Sequence, residues 1–233
     1  MQVRATAITK SLVEGLDLSS EDLITYEARV SNPENQGNLD TADKLLKHLL
    51  DNQHNSPFDM VNLTVEVTTS KAIAIQILRH WSIKPQEFSQ RYAEVTEIEP
   101  IELRRKASKN RQSSEETFDP EMCIDSDSDG SPMYYNPDGS PSHASDRINA
   151  YIKEGLHLYK ELLKKDVAKE CARMILPMAT STTMYLNGSV RSWIYYLAQR
   201  TSQHAQKEHR EVALEIEKIF KQYFPNVAKA LGI

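Results

Sequence analysis

The stretch Gln76-Ile77-Leu78-Arg79-His80-Trp81-Ser82-Ile83-Lys84-Pro85-Gln86-Glu87-Phe88-Ser89-Gln90-Arg91 decides the reading of this chain. Apolar Ile73, Ile77 and Leu78 lead into it and predict a helix over Lys71–His80, stopped by Pro85. On that helix Gln76 and Arg79, three residues apart, are expected on one face. Arg79 and Arg91 are permanent cations that grip phosphates or oxyanions in a fork. Ser89 adds a hydroxyl donor, Glu87 a carboxylate suited to a sugar hydroxyl or ring N–H, and Trp81 a flat face for a heterocycle. Together they fit a nucleotide better than a simple anion. The plainer alternative is a polar helix end with weak surface ion pairs.

Outward from there, Val61, Leu63, Val65 and Val67 alternate with polar residues and predict a half-buried strand; Val3–Thr9 reads as an opening strand. Leu45, Leu46, Leu49 and Leu50 make a core stripe on a helix over Asp40–Asn52, with Asn38 or Asp40 as its cap, and 52–57 is a loop. Residues 115–142, rich in Ser, Asp, Gly and Pro, read as a polar loop or insertion. The C-terminal third is helical: Asp146–Lys165, a shorter piece over Asp166–Leu176, Ser189–Thr201 and Gln203–Phe224, with a strand at Thr180–Leu186. The expected fold is α+β, one mixed domain over residues 1–233 with an antiparallel sheet and several helices.

A net charge of −5 argues against nucleic acid as a partner. No stretch approaches a membrane span and the first ten residues lack a signal-peptide pattern, so a cytoplasmic setting is expected. Cys123 and Cys171 fit no zinc spacing, and His204 and His209, five apart, do not share a helix face; no metal is expected, and His209 reads as a surface residue. Asp125-x-Asp127-x-Asp129-Gly130 opens like a calcium loop, but Asn136 stands where the bidentate glutamate belongs. The basic run Arg104-Arg105-Lys106, Lys109, Arg111 is a solvated face or a site-lining loop, and Trp193 and Tyr196 read as core or subunit contact.

Arg173 is a lone charge in an apolar segment and requires a carboxylate or an anionic ligand. Arg191 and Arg200 flank Tyr195 and Tyr196 on one helix, and His204-Ala205-Gln206 follows. The ordered set His54-x-Ser56-Pro57-Phe58, Gln76-x-x-Arg79-His80, Glu87-x-Ser89-x-Arg91-Tyr92, Asn110-Arg111-Gln112-Ser113-Ser114, Ala172-Arg173 with Leu176-Pro177, and Arg200-x-x-x-His204-Ala205-Gln206 resembles the flavin-dependent thymidylate synthases. Ala28-Arg29-Val30-Ser31 belongs to the same pattern. The chain departs from it at Trp81, where the family usually has arginine, and at Lys84 and Gln86, where it has serine and asparagine; those positions border the flavin and the nucleotide in the family.

The resemblance implies an FAD enzyme that takes electrons from NADPH and methylates dUMP to dTMP with methylenetetrahydrofolate, as a homotetramer with shared active sites. It implies dUMP binding by Gln76, Arg79, Glu87, Ser89, Gln90, Arg91, Arg173 and Arg200, with Arg200 the catalytic group that activates the pyrimidine. It implies FAD contacts from Ser31, His54, Ser56, Arg79, His80, Trp81, Glu87, Ser189, Arg191, Tyr195 and His204. Two other readings share the fold: a catalytically inactive nucleotide-binding or assembly protein, and a flavoenzyme adding a different one-carbon group. Neither cysteine sits in a nucleophile context, and Ser89, with no base to activate it, reads as a ligand rather than a nucleophile.

Overall fold

In the computed structural model, residues 1–110, 113–122 and 142–233 are described. Cys123, the calcium-like loop, most of the 115–142 insertion, Arg111 and Gln112 lie outside the described residues. The chain divides into two compact units, Met1–Phe88 with Thr182–Ile233, and Ser89–Ser181.

The first unit is built on a four-stranded sheet. Its strands are β1 (Gln2–Ile8), β2 (Asn62–Ser70), β3 (Lys84–Glu87) and β6 (Ser181–Ser189), in the order β1-β2-β6-β3. β1 and β2 pair antiparallel, with Val3 opposite Val67 and a bulge between Ala5 and Ala7. Thr68 meets Thr183 and Thr64 meets Asn187 through side-chain hydrogen bonds, so β2 and β6 also run antiparallel. β3 pairs antiparallel with β6 from Lys84–Asn187 to Glu87–Met184. It carries Pro85, which an edge strand tolerates because one row of its N–H groups has no ladder partner.

The helices of this unit are α1 (Ser20–Ala28), α2 (Ala42–Asp51), α3 (Lys71–Ile77), α6 (Val190–Arg200), α7 (Lys207–Tyr223) and α8 (Pro225–Leu231). α1 lies outside the sequence expectations, although Ser19 and Asp22 form a reciprocal capping box that marks its start. α2 is capped at Thr41, not at Asn38 or Asp40, and Thr41 makes no side-chain cap bond. Expected strand residues Leu63, Val65 and Val67 are buried, as are Leu46 and Leu49 of the leucine stripe. Trp193 is wholly buried and donates from Nε1 to the Leu63 carbonyl at 3.0 Å. Gly188 makes room for it: a Cβ there would lie 3.2 Å from the indole nitrogen and 3.3 Å from Ile83.

The second unit holds α4 (Ala144–Lys164), α5 (Lys169–Ala172) and the hairpin β4 (Arg104–Lys106) with β5 (Ser114–Thr117). Its small core gathers Val95, Tyr159 and Ala172, and the Tyr159 hydroxyl accepts from the Val95 amide. Residues 115–117, read as loop from composition, are strand here. Cross-strand charge explains the pairing: Arg105 bonds Glu116 at 2.8 Å. Of the basic run, Arg104 also pairs, with Glu102 just before β4.

Candidate active site

α3 ends at Ile77, earlier than the period predicts, so Arg79 and His80 lie on the turn that follows it. Gln76 and Arg79 therefore do not share a helical face. Arg79, His80, Trp81 and Ser82 line one wall of a groove of about 550 Å3, and α6 supplies Arg191, Ser192, Tyr195, Gln199 and Arg200 on the other. Asp59 completes it from the short 3-10 turn Ser56–Asp59.

Asp59 organises the start of α6. One carboxylate oxygen accepts from the Ser189 hydroxyl at 2.9 Å and the other from Arg191 at 2.9 Å. Ser189 is the N-cap of α6 and accepts from the Ser192 amide, so its hydroxyl is committed within the fold. Sequence reasoning passed over Asp59. Its signal was a carboxylate two residues after Pro57 on a short turn, which is weak.

Arg200 is half-buried at the last turn of α6. Its Nε donates to Nε2 of His80 at 2.8 Å, and no carboxylate neutralises it among the described residues. Burial, reinforced by the Arg200 charge, pushes the His80 imidazole below its usual range, so His80 is a neutral acceptor. Two features make the groove suit part of a flavin nucleotide. Trp81 (83% exposed) and Tyr195 (51% exposed) offer flat aromatic surface, and Arg79 and Arg200 supply charge for phosphate or a developing oxyanion. Lys84 steadies Trp81, donating to its carbonyl at 2.9 Å.

Glu87 closes β3. Its Oε1 accepts from Lys71 at 2.6 Å and from Thr182 at 3.0 Å. Lys71 was not foreseen as its partner. Gln76 lies half-buried on the last turn of α3 and bonds Gln206 and His209. Ser31, His54, Ser56 and His204 are exposed in the same unit and do not line the groove.

The remaining residues expected at the nucleotide belong to the second unit. Ser89 starts a turn whose carbonyl accepts from the Tyr92 and Ala93 amides, and Gln90 is buried within it. Arg91 pairs with Glu170 of α5 at 3.1 Å, and Arg173 follows α5 directly on a 3-10 turn. The structure thus brings Ser89, Gln90, Arg91 and the Arg173 segment together through one ion pair.

Residues 12–226 match the thymidylate synthase complementing protein family. The chain belongs to that family, that of the flavin-dependent thymidylate synthases. It is 46% identical to the flavin-dependent thymidylate synthase of Synechocystis sp. over 234 aligned residues, 99% of each chain. It is 43% identical to the probable flavin-dependent thymidylate synthase of Paramecium bursaria Chlorella virus 1, again over 99% of each chain. A crystal structure of the UMP/dUMP methylase PolB from Streptomyces cacaoi, bound with 5-Br dUMP, has the same fold: the TM-score is 0.73 at 20% identity, covering 99% of this chain and 94% of that one. Among the described residues no helix is long and apolar enough to cross a membrane, and no group of acidic, His and Cys side chains forms a metal site.

Proposed function

We propose that this chain is a flavin-dependent thymidylate synthase that methylates dUMP to dTMP, with methylenetetrahydrofolate as one-carbon donor and NADPH as reductant. The observation that carries the reading is Arg200: a half-buried guanidinium without a carboxylate partner among the described residues, held by a neutral imidazole in a groove walled by Arg79, Trp81 and Tyr195. A fixed cation of that kind is worth about 3 kcal/mol where negative charge develops on a substrate ring.

When bound, FAD supplies the reducing equivalents. The chain's own residues bind and orient. Arg79, His80, Trp81, Arg191 and Tyr195 would hold the flavin nucleotide, and Ser31, His54, Ser56, Glu87, Ser189 and His204, which lie outside the groove lining, are the further residues assigned to it. Gln76, Arg79, Glu87, Ser89, Gln90, Arg91 and Arg173 hold dUMP, and Arg200 polarises its pyrimidine. From the family to which the chain belongs, the assembly proposed is a homotetramer whose active sites are shared between copies. A cytoplasmic setting fits the small-molecule substrates.

The test is a visible absorption spectrum of the purified protein, repeated anaerobically with dUMP and NADPH, followed by product analysis. Flavin bands that bleach, and dTMP as the product, support the reading. Absence of flavin after incubation with excess FAD overturns it, and a product other than dTMP moves the chain to a different one-carbon transfer.

A further inference from the structure

The groove leaves one group unused. His209 of α7, expected at the surface, is wholly buried, and it sits in an unbroken line of hydrogen bonds. Gln206 donates from Nε2 to a Glu208 carboxylate oxygen at 2.8 Å. Gln76 donates from Nε2 to Gln206 Oε1 at 2.6 Å. His209 Nδ1 lies 3.2 Å from Gln76 Oε1, and His209 Nε2 lies 3.1 Å from the Tyr196 hydroxyl.

The direction of every bond in this line follows from its end. A carboxylate only accepts, so Gln206 turns its amide N–H to Glu208 and its oxygen to Gln76. Gln76 then gives an N–H to Gln206 and turns its own oxygen to His209. His209 must carry its proton on Nδ1, which leaves Nε2 to accept from Tyr196. Burial first, then the Arg200 charge, pushes His209 down to about 3, so it is neutral and has one donor and one acceptor, as the line requires. Tyr196 also packs edge-on against His80, the acceptor of Arg200, with ring centroids 4.9 Å apart.

We propose that His209 and Gln206 are positioning residues that lock the Gln76 amide with its second N–H directed at an acceptor oxygen of the bound nucleotide. A free glutamine amide presents oxygen or nitrogen with nearly equal ease. Clamped at its oxygen and at one N–H, the Gln76 amide cannot flip, and its second N–H is the donor left for a ligand. The ligand atom that this N–H serves is a phosphate or a pyrimidine carbonyl oxygen. This inference rests on the reading that Gln76 binds dUMP.

The experiment compares dUMP kinetics and flavin content for the flavin-loaded wild type, His209→Leu, His209→Gln, Gln76→Ala and the Gln76→Ala/His209→Leu double variant. His209→Leu is expected to raise KM for dUMP about tenfold, the scale of one lost hydrogen bond. Flavin content and the KM for NADPH are expected to stay unchanged. His209→Gln, which offers both a donor and an acceptor, restores most of the loss. The loss also disappears in the Gln76→Ala background, because the effect passes through that amide.

An equal penalty in both backgrounds, a common shift of all KM values, or no rescue by glutamine overturns the proposal. If His209→Leu does not fold, the exposed partner Gln206→Met removes the second clamp and gives the same reading. Deoxyuridine binding assigns the atom: a penalty retained without the phosphate marks the pyrimidine carbonyl, and one lost marks the phosphate. A wild type that neither binds dUMP nor turns it over sinks the parent reading instead, before any variant is compared.

Discussion

The Nε of Arg200 donates to Nε2 of His80 across 2.8 Å, joining the last turn of α6 to the turn that follows α3. This bond sets the aim of the guanidinium. With Nε engaged, the plane of the fork is fixed and its two terminal nitrogens remain for a ligand. His80 fulfils this role only while neutral, since an imidazolium has no lone pair to offer and repels the arginine.

Removing the cation or its support should therefore separate. Arg200→Ala is expected to leave FAD bound and to slow methylation by at least about a hundredfold, as for loss of a fixed oxyanion partner. His80→Leu is expected to reduce kcat by a smaller factor, because the charge survives but is no longer held. Single-turnover rates of dTMP formation, with flavin absorbance as the control, measure both. Unchanged turnover in Arg200→Ala would remove that residue from the mechanism.

Trp81 is 83% exposed, so its ring contributes little to folding. Trp81→Ala should keep the unfolding temperature within about 2 °C, consistent with a surface change of at most ~0.5 kcal/mol, while lowering the flavin retained on gel filtration. A variant with full flavin content would show that the ring does not stack on the cofactor.

Lys71 donates to Glu87 from a part-buried position, with side-chain exposures of 28% and 19%. Lys71→Met keeps the stem and removes the ammonium. The expected result is weaker dUMP binding by about three- to tenfold, since Glu87 loses one of the two donors that fix it. Titration calorimetry with dUMP reads this directly, and an unaltered Kd would place Glu87 outside the nucleotide site.

Acid sensitivity follows from the two neutral histidines. His209 has a folded-state pKa of about 3 against an unfolded value near 6.5, and His80 is depressed too; burial is the first cause in each, with Arg200 adding to it. The unfolded chain thus binds protons that the native chain refuses, so stability falls as pH drops below about 6.5 and continues to fall toward 3. His209 alone contributes a slope of up to ~1.4 kcal/mol per pH unit over that window. Urea unfolding between pH 7 and pH 5 tests the sign, and His209→Leu should flatten the dependence.

Glu21, 4% exposed on α1, accepts from the Asn226 and Val227 amides and from the Asn226 side chain at the start of α8. These are unsatisfied donors of a helix N-terminus. Glu21→Ala should cost about 1–3 kcal/mol of stability with no change in the dUMP KM. Chemical denaturation of the flavin-loaded protein distinguishes this from a site effect.

The parts of the fold whose signal is local were legible from the residues alone. Alternation at Leu63, Val65 and Val67, the leucine stripe of α2, and the helical spacing of α6 and α7 follow from side-chain geometry along a few turns or pleats. The ordered fragments around Arg79, Glu87, Ser89, Arg173 and Arg200 marked the family because each carries its chemistry in adjacent residues. Short elements escaped. β3 is three polar residues and a proline, and β5 is four exposed residues held by a cross-strand charge, so neither has a period to read.

Long-range packing set where His209 lies, that Gln76 bonds Gln206 and His209, and that Asp59 anchors the groove. The bonds involved join residues 130 or more positions apart, as in Gln76–Gln206, Gln76–His209 and Arg191–Asp59. Hydrogen-bond direction between such groups depends on which neighbour can only accept, and that neighbour is identified when packing brings the chain segments together. A histidine among charged residues on α7 reads as exposed until Tyr196 and Gln76 supply the two partners that let it be buried.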